Sequence, residues 1–149
     1  MSTTAGYSGT TLPRKLGIGP GSRVLLAGAP AGFELDGLPD GVTLHRAAGR
    51  GDYDVVLAFC GNRRTLERRF RSALGRIPAD GAIWVAWPKK SSGVPTDLDE
   101  GAVRTHGLGT GLVDNKVCAI DATWSGLRFV VRTADRALFR PERGGAANT

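Results

Sequence analysis

Two runs of the chain, Asp54-Val55-Val56-Leu57-Ala58-Phe59-Cys60 and Ala82-Ile83-Trp84-Val85-Ala86-Trp87, are apolar almost throughout. A strand with one wet face alternates apolar and polar side chains, so runs like these belong to a sheet covered on both faces. Between them the period changes. After a cap at Asn62, the residues Leu66, Phe70, Ala73, Leu74 and Ile77 fall on one helical stripe, Arg64, Arg68 and Arg71 lie opposite, and Pro78 closes the segment. Strand, amphipathic helix and strand in that order predict parallel strands joined by a helical crossover.

The same logic extends in both directions. Arg23–Ala27 reads as a first strand after a Gly19-Pro20-Gly21 turn, and Val42–His45 as a short second one. Pro88–Pro95 is a polar loop, and Thr96-Asp97-Leu98-Asp99 reads as the capped start of a helix ending near Gly107. Lys116–Ile120 and Leu127–Val131 read as closing strands. The join between them, Asp121–Gly126, is too short for a crossover, so this pair is expected to be antiparallel. The predicted fold is a three-layer α/β sandwich over residues 12–133, Rossmann-like, with a mostly parallel sheet and a C-terminal antiparallel hairpin. Residues 1–11 read as a flexible arm and 134–149 as a flexible tail.

A length of 149 residues suits one domain, and 41% apolar residues suffice for a core. No apolar run approaches the ~20 residues that span a bilayer, and the N-terminus lacks the pattern of a secretory signal. These features predict a cytoplasmic protein with no membrane partner. Cys60 and Cys118 both sit in strand-like runs, which favours reduced, buried thiols over a disulfide. The chain is basic, with 20 Lys+Arg against 14 Asp+Glu, and attracts anions. Only Lys15, Lys89, Lys90 and Lys116 are lysines. The arginine bias, together with 22 glycines, also fits a GC-rich coding sequence such as an actinobacterial one.

Pro20-Gly21-Ser22-Arg23-Val24-Leu25-Leu26, Tyr53–Phe59 and Ala79-Asp80-Gly81-Ala82-Ile83-Trp84-Val85 resemble class I S-adenosylmethionine-dependent methyltransferases. They match the first strand, the fourth strand and the turn into the fifth. A closer resemblance, carried by Gly6-Tyr7-Ser8-Gly9-Thr10, Trp87-Pro88-Lys89-Lys90, Gly111–Cys118 and Thr123-Trp124-Ser125-Gly126-Leu127, is to a family of short actinobacterial proteins of unknown function. It implies the fold and a cytosolic location, and brings no reaction. The chain departs from active methyltransferases at two anchors. Their Gly-x-Gly-x-Gly-type loop is here Ala27-Gly28-Ala29-Pro30-Ala31-Gly32-Phe33, where Pro30 stiffens the turn and removes an amide donor. The carboxylate that grips the cofactor ribose is replaced by Leu44-His45-Arg46, a basic end better suited to phosphate.

In an open α/β sheet, ligands bind beyond the carboxyl ends of the strands. Four loops are expected to converge there: Gly28–Phe33, Cys60–Asn62, Pro88–Thr96 and Asp121–Gly126. Lys89 and Lys90, with hydroxyls on Ser91, Ser92 and Thr96 and a helix N-terminus nearby, read as an anion cradle; a solvated loop is the plainer alternative. Trp124, read as a turn residue, offers a stacking ring or a lid over the sheet edge, and Tyr7 would fold over the same rim. Gly28 and Gly32 permit close backbone approach. Cys60, Asn62, Trp87 and Asp121 would line the crevice, with no histidine placed to activate Cys60. Arg64, Arg68 and Arg71 form either a phosphate-binding face or an ordinary wet helix face. Neither histidine shows metal-ligand spacing.

The expected function is a non-catalytic, methyltransferase-like domain binding an anionic small molecule or a protein partner at the carboxyl edge. One alternative is a divergent methyltransferase, with Gly28, Gly32, Cys60 and Asn62 around S-adenosylmethionine. Another is a nucleic-acid-binding accessory protein using Arg64, Arg68 and Arg71.

Overall fold

A computed structural model describes residues 10–139. The elements are α1 (Leu12–Lys15), β1 (Arg23–Ala27), β2 (Thr43–His45), β3 (Val55–Phe59), α2 (Arg63–Leu74), β4 (Ala82–Pro88), α3 (Glu100–Gly109), β5 (Val113–Ala119) and β6 (Trp124–Val130), with short 3₁₀ turns at Lys90–Ser92 and Thr133–Asp135. The protein is therefore α/β, with one mixed six-stranded sheet in the order β2-β1-β3-β4-β6-β5. The pairs β1–β2, β1–β3 and β3–β4 are parallel, while β6 runs antiparallel to both β4 and β5.

Alternation along the strands splits the core in two. Leu25, Val56, Ala58, Ile83, Val85, Leu127 and Phe129 meet Leu66, Phe70 and Ala73 of α2 and Val103 of α3 on one face. Val24, Leu26, Val55, Leu57, Phe59, Trp84 and Ala86 point the other way, where α1, Leu16, Ile18 and the helix-free stretch between β1 and β2 cover them. Every residue of β3 and β4 is buried, as two-sided covering demands. Trp84 illustrates how the second face is held: its indole N–H donates to the Leu16 carbonyl at 2.9 Å, satisfying the one polar atom of a fully buried ring. Close packing on the first face depends on Gly107, where a Cβ would collide with the Phe129 ring.

Several expectations shift. Helix α2 is capped by Asn62, whose side chain accepts the Thr65 N–H at 2.9 Å, but it ends at Gly75, so Ile77 joins the same core from beyond the helix. The cap of α3 is Asp99 accepting the Ala102 N–H at 2.8 Å, and the helix runs to Gly109. The largest difference is in the hairpin. β5 begins at Val113 and β6 at Trp124, so the turn is only 120–123 and Trp124 is a strand residue, paired in register with Pro88. Asp121 makes so tight a turn possible, because its carboxylate accepts from the N–H groups of both Thr123 and Trp124, at 2.8 and 2.9 Å. No helix among the described residues is long and apolar enough to cross a membrane.

Candidate functional site

β1, β3 and β4 run in parallel, so the segments that follow Ala27, Phe59 and Pro88 leave the sheet at one edge, and the β5–β6 turn arrives there as well. Backbone and side-chain bonds tie these segments together. The Lys89 N–H donates to the Thr123 carbonyl at 2.8 Å, the Thr96 hydroxyl to the Gly61 carbonyl at 2.8 Å, and the Arg63 N–H to the Asp97 carboxylate at 2.9 Å. Thr96 thus staples two loops, and its hydroxyl also accepts from the Leu98 N–H. Along the edge, Phe33, Phe59 and Trp124 form an aromatic row with edge-to-face contacts at 4.9 and 5.1 Å between ring centroids. This row fixes Trp124 as packing over the rim of the second core face.

Strand order reverses between β1 and β3, since β2 lies on one side of β1 and β4 beyond β3 on the other. A ligand of an open α/β sheet sits at this switch point. Here Arg69 sits there. Its guanidinium donates to the Phe59 carbonyl at the end of β3 and lies over Gly28 at the end of β1, where a Cβ would overlap it. Gly28 has φ +72°, so glycine serves both the backbone conformation and the arginine's space. Arg69 comes from the second turn of α2, at the border of the buried stripe. Helical side chains lean toward the helix N-terminus, and α2 starts at the carboxyl edge, so a long side chain at that border reaches back to the strand ends. Among the described residues no carboxylate pairs with Arg69. The sequence signal was this border position, three residues after Leu66 and beside Phe70; a reading that sorts helix residues into buried and wet overlooks it.

No family model matches the chain, and no curated protein matches it.

The loop after β4 borders a separate depression of about 550 Å³. Lys89, Lys90 and Ser91 of the loop line it together with Trp87 and Ser125 of the strands and Asp99, Glu100 and Gly101 of the α3 N-terminus. Neither Gly28 nor Gly32 borders it, so the four loops share an edge without all lining one crevice. Lys90 is exposed and Lys89 half-buried, and Ser92 is turned inward, its hydroxyl donating to the Lys89 carbonyl at 2.7 Å. The carboxylates are engaged: Asp99 caps α3, and Glu100 pairs with Arg104 at 2.8 Å.

The remaining expected residues lie outside this groove. Asn62 and Asp121 spend their side-chain oxygens on the α2 cap and the hairpin turn. The Cys60 thiol is fully buried, and burial pushes its pKa up to about 12 despite the opposing charges of Arg69 and Arg68. A thiol so held is protonated at neutral pH and is no nucleophile. Gly32 has φ +85° and faces open space. His45 shares a 2.6 Å hydrogen bond with the Tyr53 hydroxyl, and Arg46 is held by the Phe33 carbonyl and Glu34, so the basic end of β2 is internally occupied. Arg64, Arg68 and Arg71 are all exposed on the outer side of α2, and among the described residues none forms an ion pair with Glu67 or another carboxylate. Tyr7 lies outside the described residues. No cluster of metal-ligating side chains occurs among those described.

Proposed function

We propose that this is a non-catalytic, Rossmann-like and methyltransferase-like binding domain that takes an anionic small molecule at the carboxyl edge of its sheet. Three features support the fold assignment: the switch point between β1 and β3, the run of parallel strands around it, and the closing antiparallel pair. The observation that carries the functional reading is Arg69 over Gly28. In a cofactor-dependent relative of this fold, that space would receive the donor. A guanidinium tethered to the Phe59 carbonyl stands in that space, which argues against S-adenosylmethionine as the ligand.

The ligand position then moves along the edge to the neighbouring groove. Lys89 and Lys90 supply two cations, and the first turn of α3 adds its partial positive charge. Asp99 and Glu100 in the same groove accept hydrogen bonds and repel bare anions, so the ligand that fits combines a phosphate or carboxylate with hydroxyl groups. A phosphorylated sugar or a nucleotide has this polarity.

Thermal unfolding of the full chain tests the reading, because a ligand that binds only the native state raises stability by about 2.7 kcal/mol at a hundred times its Kd. Ribose 5-phosphate or ATP is expected to raise Tm, S-adenosylhomocysteine is not, and the gain is expected to vanish in the Lys89→Ala, Lys90→Ala variant. Stabilisation by S-adenosylhomocysteine would restore the methyltransferase alternative. An equal response to anions in the variant and the parent would remove the groove.

A further inference from the structure

A second groove, of about 530 Å³, lies between α1 and the outermost strand β5. Arg14 and Lys15 border it on one side and the consecutive residues Lys116, Val117, Cys118 and Ala119 on the other. Four successive strand residues line a groove only if it follows the strand's edge. β5 is the last strand of the sheet, and among the described residues its strand neighbour is β6 alone. An outer edge presents a row of backbone N–H and C=O groups ready to pair with another extended chain.

The side chains along that edge say what chain it is. Lys116 stands opposite Arg128 and Val117 opposite Leu127, and Leu127 belongs to the core under α2 and α3. Lys116 and Cys118 therefore share the α1 face with Arg14 and Lys15, while Val117 shows its 52% exposed side chain on the other face. Burial raises the pKa of the Cys118 thiol, and the charges of Lys15 and Lys116 nearby act the other way. Among the described residues no carboxylate lines the groove, and the strand's own Asp114 is turned to Arg104 of α3 at 3.0 Å.

We propose that the β5 edge and this groove bind an extended segment of a partner protein in which acidic residues alternate with apolar ones. Such a segment adds a seventh strand. Its acidic side chains meet Arg14 and Lys116, and its apolar ones cover Val117 on the reverse face. A second copy of this chain fits less well, since pairing two β5 edges brings two sets of the same cations together. Nucleic acid would find charge here, but among the described residues no aromatic ring lines the groove on which to stack a base.

The test is fluorescence anisotropy of fluorescein-labelled Glu-Val-Glu-Val-Glu-Val-Glu titrated with the full chain. Saturable binding is expected, weakened about tenfold or more by Lys116→Glu through like-charge repulsion, and left intact by the Lys89→Ala, Lys90→Ala variant. Lys116 is exposed, so a melting curve matching the parent's is expected for its variant; Val117→Lys provides a second disruption on the opposite face. A Glu-Pro alternating peptide, which carries the charge but lacks the donors for strand pairing, is expected not to bind. Equal binding of the proline peptide, tighter binding of labelled oligothymidine, no binding of the Glu-Val peptide, or a dimer in sedimentation that excludes it would each overturn the proposal.

Discussion

Arg69 and Gly28 fit together only because one of them has no side chain: the guanidinium occupies the space in which a Cβ of residue 28 would stand. The contact joins α2 to the end of β1 across β3, and it occupies the point where a sheet of this order would otherwise be open to a ligand.

A double-mutant cycle measures that contact. Gly28→Ala must hold φ +72° and displace the guanidinium, and should cost about 1–3 kcal/mol in urea unfolding. In an Arg69→Ala background the steric part disappears, leaving about 1–2 kcal/mol for the left-handed backbone alone. The two substitutions should therefore be less than additive. Additive costs would mean that the arginine does not rest on the glycine.

Trp84→Phe isolates the bond that ties the N-terminal segment to the sheet. Phenylalanine keeps most of the buried ring but leaves the Leu16 carbonyl without its donor at 2.9 Å. An unsatisfied buried acceptor costs about 1–3 kcal/mol. The loss should be accompanied by faster amide exchange across 12–18, because Leu16 and Ile18 are the core residues that this bond positions.

Much of this architecture was legible in the residues, and the exceptions have specific causes. Runs apolar on both faces identified β3 and β4, and the stripe Leu66, Phe70, Ala73 identified the buried side of α2. β5 was placed too late because only its second half looks like a strand. Val113-Asp114-Asn115 is polar where the sheet ends and bulges between Asp114 and Lys116, so propensity gives no sign of it. Trp124 looks like a turn residue in the sequence because nothing in the spacing shows that Asp121 closes the hairpin in so few residues. The site was harder to read. Lys89 and Lys90 do border a groove, yet Gly28 and Gly32 do not share it, and Arg69 was hidden among the arginines of a face treated as wet. Sequence spacing puts a residue on a helix, but whether a border arginine reaches outward or back to the strand ends depends on what the next strand leaves open.

Tyr53→Phe probes the opposite margin of the sheet. The Tyr53 hydroxyl is buried, accepts the Gly49 N–H at 2.7 Å and shares a hydrogen bond with His45 at 2.6 Å, while Arg23 lies 4.7 Å from the ring centroid. Removing one oxygen strands two partners at once. A loss of about 1–3 kcal/mol is expected, with the ring packing and the Arg23 contact retained. A neutral substitution would mean that water replaces the hydroxyl and that the 46–52 loop is not held by it.

Cys60 makes stability depend on pH above neutrality, and the sign follows from its burial. The unfolded thiol titrates near its ordinary value of 9.0, whereas the folded one is pushed up to about 12 by removal from water, with Arg69 and Arg68 pulling weakly the other way. Between those values the unfolded chain has released a proton that the native chain still holds. Native stability is therefore complete below pH 9 and declines by roughly 1 kcal/mol per pH unit as the pH rises toward the folded pKa. Tyrosines and lysines also titrate in this range, so the informative quantity is the difference between the parent and Cys60→Ala, whose stability curve should be flatter by that slope. Adding Arg69→Ala to the parent should extend the decline to higher pH at the same slope, because it removes a charge that favours the thiolate. Parallel curves for the parent and Cys60→Ala would mean that water reaches the thiol in the folded state, and Cys60 would then react with iodoacetamide at pH 8 in the native protein.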